Sequence, residues 1–224
     1  MRLLVALVIW TGAVLGAVEV SSVVAKSIHN KPAAAAGGGS FTASGGGAGS
    51  STASGGGTSV DPSKVGATDR VSLFRAATLS RALAAARAQL GADARIDNFA
   101  LYPGYLALTA VKGGNEVEFY VDMNGRSSRT TSSGAAGSDA LFSLAHVKPG
   151  VPDALARRIA TSGHMPASAL HYMVAQVDPI SHRFRWLVYP RQGSRVEYFQ
   201  ATGPHGPLLE YRTNSSSGLQ RVSG

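Results

Sequence analysis

Two consecutive segments at the amino end dictate how this chain can be organised. A near-continuous apolar run, residues 3–25 (LLVALVIWTGAVLGAVEVSSVVA), leads into a tract from Lys31 to about Val65 built almost wholly of Pro, Ala, Gly, Ser and Thr. Phe41 is the only large side chain of that tract before Val60. A segment so poor in apolar area cannot offset its own conformational entropy and is expected to be a solvated, disordered linker over residues 29–65. Its glycines do not form a phosphate loop, because no strand precedes them, no helix follows and no Gly-Lys-Ser/Thr ending closes them.

The run from Leu3 to Val18 would span roughly 24 Å as a helix, short of the roughly 30 Å hydrocarbon layer, and extension to Ala25 supplies the missing length. Glu19, Ser21 and Ser22 then fall near the interface, where a carboxylate keeps its water. Residues 1–28 therefore read as a single membrane-spanning signal-anchor. The alternative is a cleaved secretory signal, with Arg2 as the basic n-region and Val23-Val24-Ala25 as the cleavage site. Arg2 flanks one side and Lys26 and Lys31 the other, so the positive-inside count leaves the orientation nearly balanced. An N-terminal span followed by a flexible stalk favours a single-pass cell-membrane protein with its soluble domain outside the cytoplasm, or a secreted one if the segment is removed. Cysteine is absent, so there is no disulfide framework and no thiolate metal site.

Residues 66–224 are enough for one ordinary domain with a real core. Their organisation is repetitive. SLFRAATLSRALAAARAQLG from Ser72 aligns with SLAHVKPGVPDALARRIATSG from Ser143, and Val117-Glu118-Phe119-Tyr120 with Val196-Glu197-Tyr198-Phe199. In the first copy Leu79, Leu83, Ala86 and Leu90 recur at helical spacing behind Thr78, a possible cap, and Gly91 supplies the stop. The second has Pro152 at the helix start, then Leu155, Ile159 and the stop Gly163.

Alternating patterns predict strands over Arg95 to Leu101, Tyr105 to Val111 and Glu116 to Asp122, then Leu170 to Val177, Arg183 to Pro190, Arg195 to Ala201 and Leu208 to Arg212. The expected fold class is α+β: two tandem helix-plus-antiparallel-sheet repeats, residues 66–130 and 143–213, after the transmembrane helix and linker. Ser127 to Gly137 is the natural joint, with the boundary segment placed at 131–142, and 214–224 form a disordered tail.

A helix ending in glycine, then strands, then EVEFYVDMNGR with Asp122 and Gly125 closing the last strand, resembles the PepSY module. The tandem layout is also similar to that of β-lactamase inhibitory proteins, which present a sheet to their target. The resemblance covers residues 72–130 and less clearly 143–212, where Ala201-Thr202-Gly203-Pro204 lacks the acidic residue. It implies an extracytoplasmic module that inhibits or regulates a peptidase or other envelope enzyme.

The formal charge is +8, and residues 64–224 hold 18 basic against 11 acidic side chains. The excess is densest around Arg183-Phe184-Arg185-Trp186-Leu187-Val188-Tyr189-Pro190-Arg191 and Arg195. Strand alternation puts Arg183, Arg185, Leu187 and Tyr189 on one face and Phe184, Trp186 and Val188 on the other. Arg183, Arg185, Tyr189, Arg191 and Arg195 are thus the candidate binding residues, suited to an anionic envelope polymer, lipid headgroups or an acidic protein surface. Nucleic acid becomes a partner only if the domain is cytoplasmic.

No catalytic motif is present. The six histidines lack HExxH-type spacing, no GxSxG elbow occurs, and Ser162 lies at a helix end with no acid partner in view. Glu118 and Glu197 hold equivalent strand positions and would matter to glycosidase-like chemistry only as a close pair. The expected function is a membrane-tethered extracytoplasmic binding or regulatory module without cofactor or metal. The alternatives are a polyanion binder using the arginine hairpin and a hydrolase.

Overall fold

The computed structural model describes residues 60–91, 94–133, 140–214 and 218–222, all within the unit Gly56–Gly224. The apolar run 3–25 and the linker up to residue 59 lie outside the described residues. No described helix is long and apolar enough to cross a membrane.

The described chain holds two α-helices, α1 (Ala76–Leu90) and α2 (Gly150–Thr161), and ten strands. The strands are β1 (Arg95–Leu101), β2 (Tyr105–Lys112), β3 (Asn115–Asp122), β4 (Ser127–Ser133) and β5 (Phe142–Ser143), then β6 (Leu170–Val177), β7 (Phe184–Pro190), β8 (Val196–Ala201), β9 (Leu208–Asn214) and β10 (Gly218–Val222). All join one antiparallel sheet in the order β10-β9-β8-β7-β6-β1-β2-β3-β4, with β5 beside the start of β1.

The α+β expectation of two helix-plus-sheet repeats is overturned, because the described chain is mainly β, one ten-stranded sheet with two helices. The physical reason is the central seam. β1 and β6 pair with each other, Phe99 opposite Ala175 and Leu101 opposite Met173, so the two strand sets share a single sheet instead of each closing its own layer. The presumed joint supplies β4, the presumed tail supplies β10, and the last linker residues are already ordered, with a 3-10 turn at Pro62–Lys64 and Val65 buried.

One face of the sheet carries the core. Leu79, Leu83 and Leu90 of α1 and Leu155 and Ile159 of α2 pack in one cluster with Phe99, Leu106, Phe119, Met173, Trp186 and Phe199 from six strands. The helical stripe forms because apolar residues recur every three or four positions, and it is covered only by lying on the sheet. The cap position of α1 is Arg75, before Ala76, and not Thr78, which lies within the first turn with its side chain buried. Gly91, at φ 88°, ends it as expected.

The two helices are joined by an ion pair, Arg75 Nη1 to Asp153 Oδ1 at 2.8 Å. Arg75 also donates to the Thr68 carbonyl at 2.6 Å, which holds the entering chain. That chain crosses the β1–β2 turn so closely that a Cβ at Gly104 would overlap the Pro62 carbonyl.

Candidate functional site

The opposite face of the sheet is organised by one residue type. Alternation sends Leu106, Leu108 and Ala110 of β2 to the core and Tyr105 the other way; it does the same for Tyr120 beside Phe119 and for Tyr189 beside Val188. Register then aligns them. Tyr172 sits opposite Tyr189 across β6 and β7, and Tyr198 opposite Tyr211 across β8 and β9. The chain has seven tyrosines, and all seven fall into one row.

The row runs Tyr120, Tyr105, Tyr102, Tyr172, Tyr189, Tyr198, Tyr211, across the strands. Successive ring centroids are 5.3, 4.4, 5.1, 4.5, 5.7 and 4.6 Å apart. Four of the six pairs are stacked within 23° of parallel, so the rings stand side by side and cover one another's faces. At about 4.8 Å per strand, six steps make a ladder roughly 30 Å long. Cross-strand aromatic pairs of this kind add about 0.5–1.5 kcal/mol each beyond their buried area.

Mutual stacking takes water from the phenols. Tyr102 and Tyr172 are buried, with His171 set edge-on against both at 5.7 and 5.3 Å, while the other five are half-buried. Burial pushes the Tyr105, Tyr120, Tyr172 and Tyr198 hydroxyls up to about 12, and those of Tyr102 and Tyr189 up as well. Carboxylates add to the effect. Glu197 acts on Tyr172, Tyr189 and Tyr198, though Arg185 opposes it more strongly at the last two, and Asp122 and Asp61 act on Tyr120. The ladder is thus a band of stacked phenols with both carboxylates and the Arg185 guanidinium beside it.

The arginine hairpin is dispersed by the fold. Arg183 precedes β7, and Arg191 and Arg195 lie exposed in the β7–β8 loop. Arg185 is on the tyrosine face but engaged: it pairs with Asp178, donates to Gln200 Oε1 at 3.3 Å, and, with the Gln176 amide oriented so that its oxygen faces the guanidinium, donates to it from Nη2 at 2.8 Å and Nε at 3.0 Å. Burial opposes ionisation of Asp178, but the Ser181 amide and Arg185 outweigh it and hold the carboxyl below the usual range. Only Tyr189 of the five candidates belongs to the ladder.

The catalytic arrangements weighed from sequence do not assemble. Glu118 on β3 and Glu197 on β8 are five strand positions apart, roughly 24 Å. Glycosidase pairs stand about 5–9.5 Å apart. Ser162 Oγ donates to the Arg158 carbonyl at 2.8 Å, closing the end of α2. His164 meets a carboxylate that spacing could not reveal, the buried Glu210 of β9, which Arg212 also engages. Among the described residues no group of three or more His, Asp or Glu side chains could hold a metal ion.

Asp122, read as the acid that closes the last strand of the first copy, accepts from the Asn124 amide at 2.8 Å and the Arg126 amide at 2.9 Å. Its work is to close the β3–β4 turn. The chain matches no family model, no curated protein and no solved structure.

Proposed function

We propose that this chain is a non-catalytic binding module, tethered to a membrane by residues 3–25 and displayed outside the cytoplasm, whose tyrosine face takes a proline-rich segment of a partner protein. The continuous seven-tyrosine ladder is the observation that carries the reading. Tyrosine gives large contact area at little cost in side-chain entropy and is enriched where interfaces hold their binding energy.

The spacing favours the polyproline II conformation. Such a helix rises about 3.1 Å per residue with three residues per turn, a pitch of about 9.3 Å. Two strand spacings come to about 9.6 Å. A proline-rich segment laid along the ladder would therefore meet an equivalent pair of tyrosines once per turn, and about ten residues would fill it. Its carbonyls have no internal hydrogen bonds, so the hydroxyls of half-buried rings such as Tyr189 and Tyr198 supply the donors. The exposed carboxylates of Asp61 and Glu197 beside the ladder favour lysine or arginine flanks on that segment, and the engagement of Arg185 weighs against a polyanion on this face.

A ten-proline peptide with two lysines at each end, titrated calorimetrically into the full chain, tests the reading. Saturable binding is expected, at least tenfold weaker for Tyr189→Ala and for Tyr198→Ala, and absent for a Gly/Ser peptide of the same length and charge. Equal binding of the two peptides, or no loss in either variant, overturns it.

A further inference from the structure

A second feature lies at the other end of β1 from Tyr102. An open cleft of about 530 Å³ is bounded by Arg95 at the start of β1, His146 in the turn after β5, and His182 in the β6–β7 loop. Its wall is apolar and aromatic. Phe142 meets Phe184 edge to face at 5.2 Å, and Val177 borders the same space. The volume falls within the range of sites for small organic ligands.

The three cation-forming side chains come from separate elements; those of Arg95 and His146 are held by hydrogen bonds, and His182 is held through its backbone. Arg95 Nη2 donates to the Leu141 carbonyl at 3.1 Å, and its remaining N–H groups are donors with no acceptor capacity of their own. His146 Nδ1 lies 3.2 Å from the Ser143 carbonyl, so that nitrogen carries the proton, and the ring lies 5.9 Å from Phe184. His182 has φ 52°, the only positive φ at a non-glycine position among the described residues. Such a conformation is uncommon for a side chain with a Cβ and persists where the surroundings impose it.

Here they do. Asp178 Oδ1 accepts from the Ile180 and Ser181 amides at 2.9 and 2.8 Å, and the Asp178 carbonyl accepts from the His182 amide at 2.9 Å. The same carboxylate pairs with Arg185, so it is committed to the loop and to β7.

We propose that this cleft binds a small anion joined to an apolar or aromatic group, a carboxylate, sulfonate or phosphate monoester. Arg95 is the fixed charge for the anion, His182 and, in its doubly protonated form, His146 through Nε2–H add donors beside it, and the Phe142–Phe184 wall takes the apolar part. This site is independent of the tyrosine face.

Phenyl phosphate is the probe, titrated into the full chain and followed calorimetrically and by chemical-shift changes. Binding is expected at submillimolar concentration, at least tenfold tighter than for inorganic phosphate or benzyl alcohol, because each lacks half of what the cleft contacts. Arg95→Gln should weaken it at least tenfold with the thermal midpoint kept. His182→Gly removes the imidazole while suiting the positive φ, so the loop is retained, and should weaken it severalfold. Tyr189→Ala should leave it unchanged. No saturation, equal binding of inorganic phosphate, indifference to both cleft variants, or loss in Tyr189→Ala each overturns the proposal.

Discussion

The two faces of the sheet use aromatic residues in opposite ways. On the helix-covered face Phe99 and Trp186 meet edge to face at 6.0 Å, and Trp186 meets Phe184 likewise at 6.1 Å, each ring fitting among aliphatic side chains. On the other face Tyr172 and Tyr189 stack at 4.5 Å and 10°, and contact runs along a single line. The first arrangement fills a volume and the second covers a surface. The core should accordingly be intolerant of lost volume, whereas the ladder should lose contacts singly and keep the fold.

Truncation on each side breaks or sustains that contrast. Trp186 is 1% exposed, and Trp186→Ala should cost about 3–5 kcal/mol through lost transfer energy and the cavity left behind. Tyr198→Ala, at a half-buried ring, removes two ring contacts, with Tyr189 and Tyr211, and should cost about 2 kcal/mol, since solvent can reach the vacated face. Urea unfolding of both variants measures the difference. Equal losses would mean that the tyrosine face is as closed as the core.

Titration sharpens the comparison, because only the tyrosine face carries phenols. Their folded values are raised, to about 12 for Tyr105, Tyr120, Tyr172 and Tyr198, above the ordinary value near 10. The folded state therefore holds these protons more tightly than the unfolded chain. The stabilisation is fully present below pH 10 and is lost as pH rises from about 10 through 12. Phenolate absorbance should develop with its main midpoint near 12 in the folded protein and near 10 in denaturant. A folded midpoint near 10 would mean that the rings are solvated and not stacked.

Much of the sheet was legible in its local pattern, and the reasons for the gaps are physical. β1 and β6 have the bounds read from the sequence, although neither alternates strictly: each carries a register shift and a run of buried residues where the two strands pair at the middle of the sheet. β4 escaped because Ser-Ser-Arg-Thr-Thr-Ser-Ser has no apolar alternation and every residue is exposed. It is a strand only through its backbone pairing with β3. The β1–β6 seam that makes one sheet of two strand sets is also a pairing choice, invisible to periodicity.

The ladder was hidden for the same reason. Tyr120 could be placed among Glu116, Glu118 and Asp122, and Tyr189 with Arg185, but their common row exists only once strand order and register are known. Conversely, Glu118 and Glu197 looked equivalent in sequence, and the strand order holds them far apart.

The smallest effect concerns how the helix-covered face is tied down at its edge. Arg75 at the start of α1 reaches Asp153 of α2, with side chains 35% and 17% exposed, and Asp153 also pairs with Arg157. Because both partners keep contact with water, the pair itself should contribute only about 0.5–1 kcal/mol, read as the coupling between Arg75→Ala and Asp153→Asn in a double-mutant cycle. Arg75→Ala alone should cost more than that coupling, since the Thr68 and Asp69 carbonyls lose their donor in the same step. The excess should not depend on Asp153. A coupling of several kcal/mol would mean that the helices are locked by charge, and the core-filling account of this face would have to give way to an electrostatic one.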